Sequence, residues 1–584
     1  MSRCVWVALI LVAWPASLLF AQSPAVSASA GVPVPSSSAD AAVSRQLTPR
    51  QIDNVVALAQ VWGFLKYYHP AVAAGQRNWD AELLRLLPPA LACRTVAARS
   101  RLLARWLADL GPVAACAVCQ TRPPSPVVRP PDLRWMADAQ RFSAPLRRQL
   151  AYLQANRYQG TPYYVAPGNG ASPAFPHEEA YASPALPSPA LRVLAVCRYW
   201  NMIHYFYPYT YAIGEEWPGV LTEFVPLFAG AATPLAYRRT VLALAARLHD
   251  GHATLRSDAV LEAATGEYIV TAALQFIDEQ AVVLRVRHDG LVPPIPLEPG
   301  DVITHVDGTA VADLVRQRLP QTPGSNRAAQ LQTIARELLF GTTEQVTMRL
   351  LRHDKALTVE VPRLKYSALP PVRPVVADSM YRFLAPGVGY IDMARLTKEK
   401  LPLVMQAFRR TSGIVVDLRN YPREFLPYQL AGYFLPKPAP FVSLARFDPS
   451  YPGRFLAVPA DSLLLEPGTA APYTGQLVVL VNETSMSLAE FTAMALRATP
   501  RCLIVGSPTA GADGDVTRIV LPGGLTTAVS GTGVYYPDGR ETQRVGIVPD
   551  VLLRPTPAGI RAGRDELRDQ AVEIIRRQPP PRSH

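Results

Sequence analysis

Lysine is nearly absent from this chain. Only six of its 58 basic residues are lysine (Lys66, Lys355, Lys365, Lys398, Lys400 and Lys437), and none follows position 437 of 584. Lysine chemistry is therefore excluded from the final quarter. The other basic residues are arginines, scattered except for a small group at Arg561, Arg564, Arg568, Arg576 and Arg577, so the net charge of +12 forms no continuous stripe that would track a nucleic-acid backbone. No nucleic-acid partner is expected.

Cysteine is also scarce. Of six, Cys4 precedes the first apolar stretch, where a lipid-bearing cysteine cannot stand, and the other five are an odd number, so at least one stays unpaired. Cys197 falls in a helical pattern and Cys502 in a strand pattern, which suits buried apolar fillers. Cys116-Ala-Val-Cys119 lacks the strand and helix of a thioredoxin-like redox site, and a structural disulfide among Cys93, Cys116 and Cys119 is expected in preference to a metal site, which would want a fourth ligand. No metal cluster, phosphate-cradling glycine loop or nucleotide fingerprint occurs, so no cofactor is implied. Beyond the first twenty residues no run of about 18 apolar residues is found, which excludes a membrane span in the remaining chain.

What is present is a globular composition, 49% apolar and 18% charged, in a chain too long for one hydrophobic core. Residues 1–22 run from basic Arg3 through an apolar stretch to small residues, the build of a secretory signal peptide, so a periplasmic or secreted destination is expected. Residues 23–49, rich in Ala, Ser, Val and Pro without periodicity, read as a flexible linker.

Residues 50–255 read as helical and carry an internal repeat. Val61-Trp62-Gly63-Phe64-Leu65-Lys66-Tyr67-Tyr68-His69-Pro70 returns 138 residues later as Tyr199-Trp200-Asn201-Met202-Ile203-His204-Tyr205-Phe206-Tyr207-Pro208, and the same offset carries Trp79 to Trp217, Leu83 to Leu221 and Pro88 to Pro226. Two related helical units, about 50–120 and 190–255, are expected, joined by a Pro-rich linker, with a lid as the alternative reading of that passage. Core packing is the ordinary role for their aromatics.

Further on, Leu297-Glu298-Pro299-Gly300-Asp301-Val302-Ile303-Thr304-His305-Val306-Asp307-Gly308-Thr309-Ala310-Val311 resembles a PDZ domain, which implies a PDZ-like β domain over 257–365. Such domains take an extended peptide as an added strand and hold its carboxylate on backbone amides. The segment that would supply that loop, Ala273-Leu274-Gln275-Phe276, lacks glycine.

From Pro386 short apolar strands alternate with helices, the pattern of an α/β core, here bounded as 376–556 with 557–584 left as a C-terminal tail. Val481-Asn482-Glu483-Thr484-Ser485-Met486-Ser487-Leu488-Ala489-Glu490 puts a serine between a strand end and a helix start. There a serine either caps the helix or serves as a nucleophile whose oxyanion the helix amides stabilise.

This segment resembles the Ser-x-Ser-x-x-Glu nucleophile motif of the carboxy-terminal processing, or tail-specific, serine proteases. That resemblance implies a multidomain α+β protein with a ClpP/crotonase-like catalytic core, Ser487 as nucleophile and the Leu488 N–H as oxyanion donor. It also implies protein or peptide substrates. In Val505-Gly506-Ser507-Pro508-Thr509-Ala510-Gly511-Ala512, where the tail-specific branch places a catalytic lysine, Ala512 stands instead.

A hydroxyl needs a base to become a nucleophile near neutral pH. Arg247-Leu248-His249-Asp250-Gly251-His252-Ala253-Thr254-Leu255 resembles the Asp-Gly-His segment of the histidine-base branch, tricorn-like and retinoid-binding-protein-like, which implies His252 as base, with His249 the runner-up. The closing hairpin, Tyr536 to Asp550, resembles the family's Gly-Ile-x-Pro-Asp ending and implies Glu541 as the triad acid. After Asn420 the family's glycine pair is replaced by Tyr421-Pro422-Arg423-Glu424, which takes away one expected oxyanion donor. The expected activity is that of an exported serine peptidase with a Ser-His-Glu triad. The alternatives are an inactive peptide- or ligand-binding protein of the same fold, and a PDZ scaffold.

Overall fold

The computed structural model describes residues 37–43, 46–255, 257–287, 294–369 and 380–577. The signal peptide expected over 1–22 lies outside the described residues. Of the expected linker, Ser37–Ala42 is instead a helix (α1), with Ala39 and Val43 buried and the Asp40 carboxylate accepting the N–H of Ala190 at 3.1 Å. The i, i+4 spacing of its apolar residues fixes it to the helices that follow.

Those helices are α2 (Pro49–Tyr68), α3 (Trp79–Leu91), α4 (Val96–Asp109), α5 (Ala144–Ala155), α6 (Pro189–Phe206), α7 (Trp217–Gly230) and α8 (Pro234–Ala246). α2 opens on a capping box between Thr48 and Gln51. Both α2 and α6 are apolar on nearly every face and buried accordingly. They meet where Gly63 faces Asn201: a methyl group added at Gly63 would lie 1.8 Å from the Asn201 amide oxygen. Two tryptophan pairs bond in the same way. Trp62 and Trp79 each donate an indole N–H to the other's carbonyl at 2.8 and 2.9 Å, and Trp200 and Trp217 do likewise at 2.8 and 3.1 Å.

The Pro-rich passage between these units is not an open lid. It contains α5, with Leu146, Leu150 and Leu153 buried, and it is tied down by charge: Glu178 pairs with Lys66 at 2.5 Å and with Arg198 at 2.9 Å, while Arg198 reaches Asp80 at 2.6 Å. Cys116 and Cys119 form a disulfide, and Cys93, Cys197 and Cys502 are free thiols.

A β domain follows, with strands β1 (Ala272–Ile277), β2 (Gln280–Val286) and β3 (Val302–Val306), helices α9 (Val311–Arg318) and α10 (Arg327–Glu337), and strands β4 (Gln345–Arg352) and β5 (Lys355–Pro362). The sheet runs β5-β4-β3-β2-β1, leaving β1 at an edge beside α10.

The last layer is an α/β core. Strands β6 (Tyr381–Ala385), β7 (Val388–Asp392), β8 (Gly413–Asp417) and β9 (Gln476–Val481), helix α11 (Leu488–Arg497), strand β10 (Cys502–Gly506), the hairpin β11 (Val516–Leu521) and β12 (Leu525–Ser530), and strand β13 (Val551–Leu552) precede helix α12 (Glu566–Arg577). The sheet order is β6-β7-β8-β9-β10-β13, parallel from β7 onward. β8 and β9 are buried along their whole length, as parallel strands covered on both faces must be. The residues expected to form a C-terminal tail instead close one of those faces: Leu567, Ala571 and Ile575 of α12 cluster with Val415, Val478, Leu480 and Val505.

Candidate active site

Ser487 stands between β9 and α11 with φ 55° and ψ −119°, a conformation that L-residues with a side chain rarely adopt. Such strain costs of order 1–3 kcal/mol and persists only where the surroundings impose it. Here they do. The Ser487 N–H is shared between the Ala512 carbonyl at 3.0 Å and the Glu490 carboxylate at 3.0 Å. Buried Glu490 also accepts the N–H groups of Gly511 (2.7 Å) and Ala512 (3.0 Å) and the Thr509 hydroxyl. Burial pushes its carboxyl above the usual range despite those donors. One carboxylate thus joins the start of α11 to the loop after β10. Just before Ser487, the Ser485 hydroxyl donates to Leu418 O at 2.8 Å and that of Thr484 to Arg419 O at 2.6 Å, tying the turn to the end of β8. Leu488 is the first residue of α11, so its N–H has no acceptor within the helix.

The histidine segment leaves the end of α8. Gly251 lets it come close: a methyl group there would lie 3.3 Å from Met486 Cε and 3.3 Å from Ala512 Cβ. His252 and Ser487 thus flank one contact, each a single residue away from it. His252 is buried, with Nδ1 at 3.0 Å from Ser530 Oγ and 3.3 Å from Asp250 Oδ1. Asp250 is fully buried and accepts the N–H groups of His252 (2.9 Å) and Ser530 (2.7 Å). Burial alone would raise its carboxyl. The His252 ring and these two amides outweigh burial and hold it below the usual range, so it is an anion.

Among the described residues no hydrogen bond or ion pair joins Glu541 to His252. It pairs with Tyr535 through a single β-bridge, and its Oε1 accepts the Tyr211 hydroxyl at 2.7 Å. The partners of His252 are Asp250 and Ser530. The resemblance assigns Asp250 no role, and the signal for it in the sequence is the Asp-x-His spacing, which lets a carboxylate reach the N–H two residues on. The neighbouring His249 has its imidazole held below its usual pKa by burial and by Arg544. Beyond β8, Pro422 has no N–H and that of Arg423 is given to Met393 O at 3.0 Å. Neither is free to meet an oxyanion.

The β domain touches the same region. Gln275 of β1 donates to Glu483, which also accepts the Ser507 hydroxyl at 2.9 Å. A cavity of about 430 Å³ opens there, lined among others by Phe276, Asn326, Leu331, Glu483, Pro508 and Arg544. Among the described residues no group of His, Cys, Asp and Glu is arranged to hold a metal ion, and no helix is long and apolar enough to cross a membrane.

Comparison with known proteins supports a serine peptidase. Residues 387–553 match the model of Peptidase family S41, a span that takes in Ser487, Leu488 and Glu541 and begins after Asp250 and His252. The chain is 27% identical over 296 residues to the chloroplastic C-terminal processing peptidase of Tetradesmus obliquus, covering 47% of this chain and 57% of that one. It is 26% identical over 226 residues to a carboxyl-terminal-processing protease of Picosynechococcus sp., covering 38% and 50%. The chain thus spans about half the length of the curated relatives it matches. A solved structure of mature CPAF complexed with lactacystin shares the fold, with a TM-score of 0.53 at 14% identity over 67% of this chain and 99% of that one.

Proposed function

We propose that this chain is an exported serine peptidase in which Ser487 attacks the substrate carbonyl, His252 is the base, and Asp250, with Ser530, holds the imidazole. The observation that carries this reading is the strained turn at Ser487, pinned by Glu490 and lying against the Asp250-Gly251-His252 segment. A strand-to-helix turn of this kind lifts a hydroxyl to where a helix N-terminus faces the developing charge.

With Nδ1 turned towards Asp250 and Ser530, Nε2 is the nitrogen that takes the proton from Ser487 Oγ. The oxygen then bonds to the carbonyl carbon, and the negative charge on the carbonyl oxygen meets the Leu488 N–H. The imidazolium that forms is balanced by the buried Asp250 carboxylate. His252 next gives its proton to the leaving amine, leaving an acyl-enzyme that water hydrolyses by the reverse sequence.

The β domain is read as PDZ-like, with the β1 edge and α10 flanking the place where an extended peptide would add a strand. Export rests on the pattern of residues 1–22. A second reading, a protein that binds peptides without cleaving them, is favoured by the absence of an oxyanion donor at Pro422 and Arg423. A fluorophosphonate probe separates the two. Labelling of wild-type protein that is lost in Ser487→Ala, together with peptide hydrolysis lost in the same variant, is expected. Hydrolysis that survives in Ser487→Ala would overturn the assignment.

A further inference from the structure

The loop leading into α10 reaches from the β domain to both halves of the candidate site. Ser325, 1% exposed, accepts the N–H of Gly251 on its hydroxyl oxygen at 2.7 Å, and Gly251 lies between Asp250 and His252. The next residue, Asn326, has both ends of its amide engaged. Its Oδ1 caps α10 by accepting the N–H of Ala329 at 2.9 Å, and its Nδ2 donates to the Thr509 carbonyl at 2.8 Å. The Thr509 hydroxyl in turn donates to Glu490, the carboxylate that holds the Ser487 N–H.

His252 and Ser487 are 235 residues apart in sequence, so nothing in the local chain sets their spacing. The contact between their segments, made through Gly251, Met486 and Ala512, involves apolar groups and specifies no direction. The direction comes from hydrogen bonds. The hydrogen bonds of Ser325 and Asn326 run from one helix cap to the base segment on one side and to the nucleophile loop on the other.

We propose that Ser325 and Asn326 are positioning residues that set the spacing of His252 from Ser487, which makes the β domain part of the catalytic unit. This rests on the peptidase reading above. A bland role is also available to a buried serine that satisfies a peptide N–H, and the two roles predict different measurements. If Ser325 only satisfied Gly251, its loss would lower stability and leave the turnover of folded molecules unchanged. If it positions His252, its loss lowers the turnover of folded molecules, because a displacement of about 1 Å in such a site costs about 100-fold.

The test uses the full chain with Ser325→Ala, Ser325→Cys, Ser325→Thr and Asn326→Ala. The rate of fluorophosphonate labelling at Ser487, kcat and KM on a peptide substrate, and the thermal midpoint are measured on molecules that elute as folded. Ser325→Ala and Ser325→Cys, the latter isosteric but a poor acceptor, are expected to label about 10- to 100-fold more slowly, with kcat down in proportion and KM within about twofold. Ser325→Thr keeps the hydroxyl and is expected to stay near wild type, while Asn326→Ala falls with Ser325→Ala. If Ser325→Ala fails to fold, Ser325→Cys is read in its place. Wild-type labelling combined with equal labelling of folded Ser325→Cys would overturn the positioning role. No labelling of wild type would instead strike the peptidase reading itself.

Discussion

Asp250 Oδ1 lies 3.3 Å from His252 Nδ1, and its other oxygen accepts the N–H of Ser530 at 2.7 Å, so a fully buried anion grips the imidazole from within its own loop. Glu541 makes no such contact and is held by Tyr211. Asp250→Asn is therefore expected to lower kcat by about 100- to 10,000-fold with little change in KM, because the amide neither stabilises the imidazolium nor fixes its tautomer. Glu541→Gln should stay within about threefold of wild type. Steady-state kinetics of the two variants side by side decide which carboxylate serves.

The strain at Ser487 predicts a split between two substitutions that are equally inactive. Alanine keeps a Cβ at φ 55° and ψ −119°, whereas glycine adopts that conformation without steric cost. Ser487→Gly is expected to be more stable than Ser487→Ala by about 1 kcal/mol, after allowance for the greater freedom of glycine in the unfolded chain. Urea midpoints at equal m-values give the comparison. Equal midpoints would mean that the turn stores no strain.

Different parts of this molecule were legible for different physical reasons. β8 and β9 read directly, because strands buried on both faces are continuous apolar runs, and α11 reads as an apolar helix that follows the serine segment. Composition misled where it was polar or Pro-rich. Residues 557–584 read as a C-terminal tail, although Leu567, Ala571 and Ile575 stand at i, i+4 and i+8. The passage before α6 reads as a Pro-rich linker, although Leu146, Leu150 and Leu153 keep helical spacing. The second partner of His252 is out of reach of the sequence for another reason. Ser530 is 278 residues away, and only the folded chain brings its hydroxyl to the ring.

Acid should unfold this protein earlier than its carboxylates alone require. His204 is buried, stacked on Trp200 at 4.8 Å with Nε2 at 2.9 Å from the Asp132 carbonyl, and burial brings its pKa down to about 4. His69, also buried, has both ring nitrogens without a partner and is brought down to about 4 by burial and by Arg77. A group whose folded pKa is depressed binds protons more readily in the unfolded chain. Its contribution is full above the unfolded value of about 6.5 and is lost as pH falls towards 4, by up to about 3 kcal/mol for each histidine. His204→Gln keeps a donor for Asp132 and does not titrate, so its stability should fall less steeply than wild type between pH 6.5 and 4. Urea unfolding at several pH values tests this, and parallel curves would refute it.

Restoring a lysine at position 512 should not restore a serine-lysine pair. Ala512 has no exposed surface, and its Cβ faces Gly251 across the contact that joins the base and nucleophile segments. Both of its peptide groups are engaged, the N–H with Glu490 and the carbonyl with the Ser487 N–H. A lysine side chain there would have to displace the Asp250-Gly251-His252 segment or remain buried as an ammonium ion, and the Glu490 carboxylate that holds the Ala512 N–H already accepts four donors. Overpacking together with an ill-paired buried charge costs several kcal/mol. Ala512→Lys is expected to lower stability by about 3–5 kcal/mol and to abolish probe labelling at Ser487. Adding His252→Ala should not bring labelling back, because making room for a lysine does not give it the orientation that Asp250 gives the imidazole. Folded, probe-reactive Ala512→Lys/His252→Ala protein would show that this scaffold accepts either base.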